Sequence, residues 1–188
     1  LNEVARFDPA STERRFTLSV RDVLEATLLP VLMRRITETA PLIAVNTVRV
    51  DRRDLEAELA AGTVDAAIDT LLPLSDNIRR IRIAADPLVV IVRADHPAFG
   101  EGMDMETYLR QDHILVSSRR SGPGLEDVEL SRLGVERRVR LRCQHYFAAC
   151  RVVSLTDLVL TMPESYARIA NRQYNNRILP FPLSVPML

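Results

Sequence analysis

Three groups of residues in this 188-residue chain have types and spacings that could do chemistry. Cys143 and His145 stand two apart and invite a nucleophile–base reading. That pair has no nucleophile elbow and no orienting third group, so Cys143 reads as a small hydrophobe and His145 as a residue that faces a ligand. Ser121-Gly122-Pro123-Gly124 could form a nest for a phosphate. The full dinucleotide fingerprint is missing, and the same four residues serve as a turn entering a helix. The third group is a set of polar clusters placed directly after apolar runs. They are Arg21-Asp22, Asp51-Arg52-Arg53, Asp69-Thr70-Leu71 and Ser117-Ser118-Arg119-Arg120-Ser121-Gly122. A guanidinium offers a planar fork of donors that matches a carboxylate. His96 and His113 lie in or beside turns, and none of the three histidines has His or a carboxylate at i+3 or i+4. No metal site is expected.

Composition narrows the choices. The chain has 25 basic and 25 acidic residues, and every basic one is arginine. Without lysine there is no Schiff-base chemistry and no P-loop lysine. Balanced charge argues against a segment that itself grips phosphate backbones. Forty-seven per cent apolar residues exclude a disordered chain. Two cysteines are too few for a disulfide scaffold or a Cys-rich metal site. The longest apolar stretches fall far short of the ~20 residues that span a bilayer, and the first residues do not read as a signal peptide. The chain lacks an initiating Met and stops in the apolar run Phe181 to Leu188, which reads as a piece cut at both ends.

The elements that must position these clusters follow from periodicity. Residues 1–15 read as a linker tail. Phe16 to Val20 alternates as a half-buried strand. Val23, Leu24, Leu28, Leu29, Leu32, Met33 and Ile36 recur at helical spacing, with Pro30 expected to kink or break that helix. Strand 43–50, a short helix from Asp54 ended by Gly62, and strand 64–69 come next. Ile78 to Ile83 and Leu88 to Val92 are strand-like. After His96-Pro97 the alternation restarts: helix 104–110, strand 113–117, helix 125–133, strand 137–143, helix 146–154, strand 157–162, helix 164–172 and strand 177–182. Alternating strands and helices signal an α/β chain with parallel sheets. In such sheets ligands sit beyond the carboxyl ends of the strands, which is where the polar clusters fall. The apolar positions 24, 28, 31, 32 and 36 make a stripe wide enough to serve a second copy as well as a core.

In this order the residues resemble a known family. Arg6-Phe7-Asp8-Pro9-Ala10-Ser11-Thr12-Glu13-Arg14-Arg15-Phe16-Thr17-Leu18 is similar to the opening of the effector-binding domain of LysR-type transcriptional regulators. Leu28-Leu29-Pro30-Val31-Leu32, Ala40-Pro41, Gly62-Thr63-Val64-Asp65-Ala66-Ala67-Ile68 and Arg93-Ala94-Asp95-His96-Pro97 follow in register. So do Leu133-Gly134 and Thr156-Asp157-Leu158-Val159-Leu160-Thr161-Met162-Pro163. The resemblance is closest to the branch of nodulation regulators and salicylate- and nitroaromatic-responsive activators.

The resemblance implies a type 2 periplasmic-binding-protein-like α/β fold, with two α/β subdomains joined by two crossover strands near 88–96 and 177–183. On that plan residues 16–92 and 183–188 form an incomplete subdomain I, and 93–182 form subdomain II with the crossovers. A small-molecule effector occupies the inter-subdomain cleft. Carried over by position, its contacts are Arg21, Asp22, Asp51, Thr70, Ser117, Ser118, His145 and Phe147. Relatives usually have a small hydroxyl residue where this chain has Arg21, so the resemblance and the guanidinium together favour an anionic effector. Asp22 or Asp51 could pair with Arg21 instead and neutralise it. No cofactor, metal or catalytic residue is implied. The family further implies a cytoplasmic homodimer, tetrameric when full-length, with no membrane contact and with DNA bound only through an N-terminal helix-turn-helix that this chain lacks. The dimer would set helix 23–36 and strand 43–50 against the partner's second subdomain near helix 146–154. A solute-binding protein of a transporter and an enzyme on the same fold, such as a dehydratase or deaminase, are the competing readings.

Overall fold

The computed structural model describes residues 7–69, 75–100 and 102–183. The chain divides into two compact units, Leu1–Arg82 and Ile83–Leu188. Each has its own sheet.

The first unit holds β1 (Arg14–Val20), α1 (Asp22–Thr39), β2 (Ile43–Val48), α2 (Leu55–Ala61) and β3 (Ala66–Ile68). Its strands are all parallel, in the order β2-β1-β3. The helical connections make this order natural, because parallel neighbours need a crossover long enough to return the chain to the same end. Gly62 ends α2 in the left-handed region at φ 73°, where a side chain would be strained. Asp65 then explains its place in the Gly-Thr-Val-Asp run. Its N–H donates to Thr17 O at 2.9 Å, while its carboxylate accepts from Thr17 N at 2.8 Å and Arg14 Nη2 at 2.9 Å. One side chain thus fixes the register of β3 against β1.

The second unit holds β4 (Leu88–Arg93), α3 (Met105–Leu109), β5 (Asp112–Val116), α4 (Leu125–Arg132), β6 (Arg138–Cys143), α5 (Tyr146–Val153), β7 (Val159–Pro163), α6 (Glu164–Ala170) and β8 (Asn176–Pro180). The sheet order is β6-β5-β7-β4-β8. β5 runs parallel to β6 and β7, while β4 runs antiparallel to both β7 and β8. β4 and β7 are central and covered on both faces, so they read as continuous apolar runs. Val90, Val92, Phe99, Tyr108, Leu130, Val159 and Phe181 form the core beside them. His96 is a fastener in this unit. Its Nε2–H donates to Asp157 O at 2.9 Å, its Nδ1 accepts from Ala98 N at 3.2 Å, and its ring packs 4.7 Å from that of Phe99. Arg93 adds an ion pair to Asp157, so the Arg-Ala-Asp-His-Pro run is a structural motif.

Two local expectations are corrected. Ile78–Ile83 forms no strand, and Ile81 and Ile83 are largely exposed. Isoleucine's preference for strands does not suffice without a neighbour to take the backbone hydrogen bonds, and no described strand pairs with this segment. Of the two outcomes expected at Pro30, a kink or a break, the break does not occur: α1 runs unbroken to Thr39. Pro30 is on the exposed side, where the carbonyl that loses its donor can turn to water.

Candidate functional site

The parallel register of the first sheet decides which polar clusters meet. Val20 lies opposite Ile68, so the next residues out, Arg21 and Asp69, leave the sheet side by side. Arg21 Nε donates to Asp69 Oδ2 at 3.0 Å. From the loop after β2, Arg52 reaches the same carboxylate through two bonds, Nε to Oδ2 at 3.0 Å and Nη2 to Oδ1 at 2.7 Å. The Asp69 side chain is only 12% exposed. Burial pushes its pKa up, but the hydrogen bonds from Arg52 and Arg21 outweigh this and hold it below the usual carboxylate range. Arg21 meets Asp69 through Nε, so its Nη1 and Nη2 edge still presents the paired donors that fit a carboxylate.

The described acid beside Arg21 is therefore Asp69, and Asp51 is not its partner. Asp51 is exposed, lies after β2 and sits 3.7 Å from Arg53. Asp22 is the first residue of α1, and its side chain lies outside the described set, as does Thr70. Arg52 and Asp69 belong to clusters visible in sequence but were not singled out there. The available signal was the parallel β1–β3 register, which sets an acid beside an arginine at adjoining strand ends.

In the second unit the matching region follows β5. Ser117 N–H donates to Cys143 O at 2.8 Å, prolonging the β5–β6 ladder. Ser117 Oγ accepts from Arg119 N at 3.2 Å, and Ser118 is exposed. The chain then turns through Gly122 (φ 94°) into α4, where Gly124 N–H donates to Asp127 Oδ2 at 2.6 Å. This turn enters a helix as expected. His145 is the N-cap residue of α5 and is exposed. Phe147 is 49% exposed, with its ring 6.2 Å from that of Tyr174.

Below the turn lies a buried charge network that sequence reading missed. Arg137, whose side chain is 1% exposed, donates to Glu126 and through Nε to Asp127 at 2.6 Å. It also approaches Tyr108 Oη at 3.4 Å, and that hydroxyl pairs with Thr161 at 2.8 Å. Burial raises Glu126 despite Arg137, whereas Arg137 and Gly124 hold Asp127 down against its own burial. Neither cysteine is activated. Burial raises Cys143, and it pushes Cys150 up to about 12. Among the described residues no group of three or more His, Cys, Asp or Glu is placed to hold a metal ion. No described helix is long and apolar enough to cross a membrane.

The family model described as the LysR substrate binding domain matches residues 9–187. The chain belongs to the LysR substrate-binding domain family. It is 32% identical over 180 residues to the HTH-type transcriptional activator NahR of Pseudomonas putida, covering 96% of this chain and 60% of the relative. A solved probable transcriptional regulator from Pseudomonas aeruginosa superposes with a TM-score of 0.88 at 29% identity, over 96% of this chain and 61% of that one. The BenM effector-binding domain, solved with its effector benzoate, shares the fold at a TM-score of 0.78 and 18% identity, over 94% of this chain and 81% of that one. As a LysR substrate-binding domain, the chain has the type 2 periplasmic-binding-protein-like α/β fold expected of it. It spans about 60% of the length of the full regulators it matches.

Proposed function

We propose that this domain senses a small anionic molecule, a carboxylate, for a bacterial transcriptional regulator. The observation that carries this is Arg21. It stands at the carboxyl end of the central strand β1, is oriented by Asp69 through Nε, and keeps its paired amino groups for a ligand. Arg52 holds the same Asp69 carboxylate with a second guanidinium. Ser117, Ser118, His145, Phe147, Asp22, Asp51 and Thr70 are the further candidate contacts that the family resemblance implies by sequence position. The benzoate of the BenM domain is a ligand of matching chemistry. On this reading the chain has no catalytic residue, cofactor or metal, and works in the cytoplasm. DNA is bound by a helix-turn-helix elsewhere in the whole protein. A homodimer, tetrameric in the full-length regulator, fits the exposed Val31 of α1 and the open edge of β2. The relatives are named transcriptional regulators, which favours this reading over a transport protein or an enzyme.

The test is calorimetric titration with benzoate, salicylate, phenol and short aliphatic acids. Arg21→Ala should weaken carboxylate binding at least tenfold, about 1.4 kcal/mol or more. Unchanged affinity would remove Arg21 from the anion site, and phenol binding as tightly as benzoate would refute an anionic ligand.

A further inference from the structure

We propose that Arg142 is a positioning residue that sets the Ser117–Gly124 loop in its donor-presenting conformation before a ligand arrives. This rests on the binding role given above to Ser117 and Ser118. Arg138, Arg140 and Arg142 occupy alternate positions of β6, and the β5–β6 register shifts between them, opposite His113 and Ile114. The first two turn to Asp112 at the start of β5. Arg142, at the other end, donates Nη1 to Arg119 O at 3.2 Å and Nη2 to Gly122 O. Arg119 in turn donates to Pro123 O. Three loop carbonyls, those of Arg119, Gly122 and Pro123, are therefore drawn toward guanidiniums.

That orientation fixes where the donors face. No peptide bond among the described residues is cis, and in a trans unit the N–H points opposite to the C=O. With Arg119 O held by Arg142, the Arg120 N–H faces the other side of the loop. Gly122 O precedes Pro123, which has no N–H to place. Ser117 Oγ accepts from Arg119 N, so its hydroxyl proton is available to donate. The ladder bond to Cys143 O anchors the loop at its start, and Asp127 anchors it at Gly124. Arg142 holds the middle. Without it the loop would have to order when ligand binds, and that cost would come out of the affinity.

The experiment measures backbone hydrogen exchange on the ligand-free protein, then benzoate affinity by calorimetry, for wild type, Arg142→Ala, Arg142→Lys and Arg138→Ala. Arg142→Ala should speed exchange across 117–124 by tenfold or more and leave 88–93 and 159–163 unchanged. It should weaken benzoate about tenfold. Arg142→Lys should recover part of both effects, and Arg138→Ala should match wild type. Unchanged loop exchange in Arg142→Ala overturns the proposal, and that arm needs no ligand. Exchange raised equally in β4 and β7 also overturns it, because Arg142 would then serve the fold as a whole. Faster loop exchange with unaltered benzoate affinity keeps the clamp but overturns the ligand role of Ser117 and Ser118.

Discussion

Replacing His113 by glutamine should flatten the acid limb of this domain's stability curve. His113 is fully buried. Its Nε2–H donates to Tyr108 O at 2.9 Å, and Nδ1 has no partner among the described residues. Its ring lies 4.4 Å from that of Tyr108. Burial, followed by the nearby positive charge of Arg137, lowers the pKa from 6.5 to about 4, with the hydrogen bond to Tyr108 O and then Asp127 and Asp112 opposing. The folded state therefore refuses a proton that the unfolded chain accepts between these two values. The stability this represents is complete above pH 6.5 and drains away as pH falls toward 4. A shift of that size corresponds to about 3 kcal/mol in full, and about 2 kcal/mol by pH 5. Glutamine can still donate to Tyr108 O but takes up no proton. The assay is urea unfolding of both proteins at several pH values from 7.5 to 4.5. Carboxylates that also titrate near the lower end are common to both, so the difference between the two curves isolates His113. That difference should move by about 2 kcal/mol in favour of the variant between pH 7.5 and pH 5. Parallel curves would refute the reasoning, because His113 would then be equally easy to protonate in both states.

The remaining expectations also concern the second unit. A Cβ on Gly124 would come within 2.7 Å of both Leu115 Cδ1 and Glu126 Oε2, and Glu126 is held by buried Arg137. Gly124→Ala should cost about 1–3 kcal/mol in urea unfolding, and a loss under about 0.5 kcal/mol would show that the turn yields freely. Arg137→Met strands Glu126 and Asp127 without their cation and should cost about 3–5 kcal/mol. Replacing Glu126 by Leu and Asp127 by Asn in the same protein should restore much of that. No recovery in the triple variant would mean that packing, and not an uncompensated buried charge, explains the loss.

Local pattern in the sequence determined a great deal. Two-residue alternation marked Phe16 to Val20 and strand 43–50, helical spacing marked α1, and Gly62 marked the end of α2, each within a few residues of the observed limits. These signals are short-range because backbone hydrogen bonding and one-sided burial repeat every two or 3.6 residues. The rule that ligands gather at carboxyl ends then made Arg21 and the Ser117 loop candidates from order alone. What tertiary structure decided is which distant charges meet. Arg21 and Asp69 are 48 residues apart, and only the parallel register of β1 and β3 makes them neighbours. Arg142 has the same residue type and strand spacing as Arg138 and Arg140, yet it alone reaches loop carbonyls. Glu126, Asp127 and Arg137 look in sequence like surface charges of a helix and the loop beyond it, and they end up largely buried as one network. Ile78–Ile83 shows the converse: a strand-like pattern stays irregular where no neighbouring strand accepts it. Propensity and periodicity belong to a segment and are written in it. The partner of a charge or of a strand edge depends on register, which is fixed only when the whole sheet assembles.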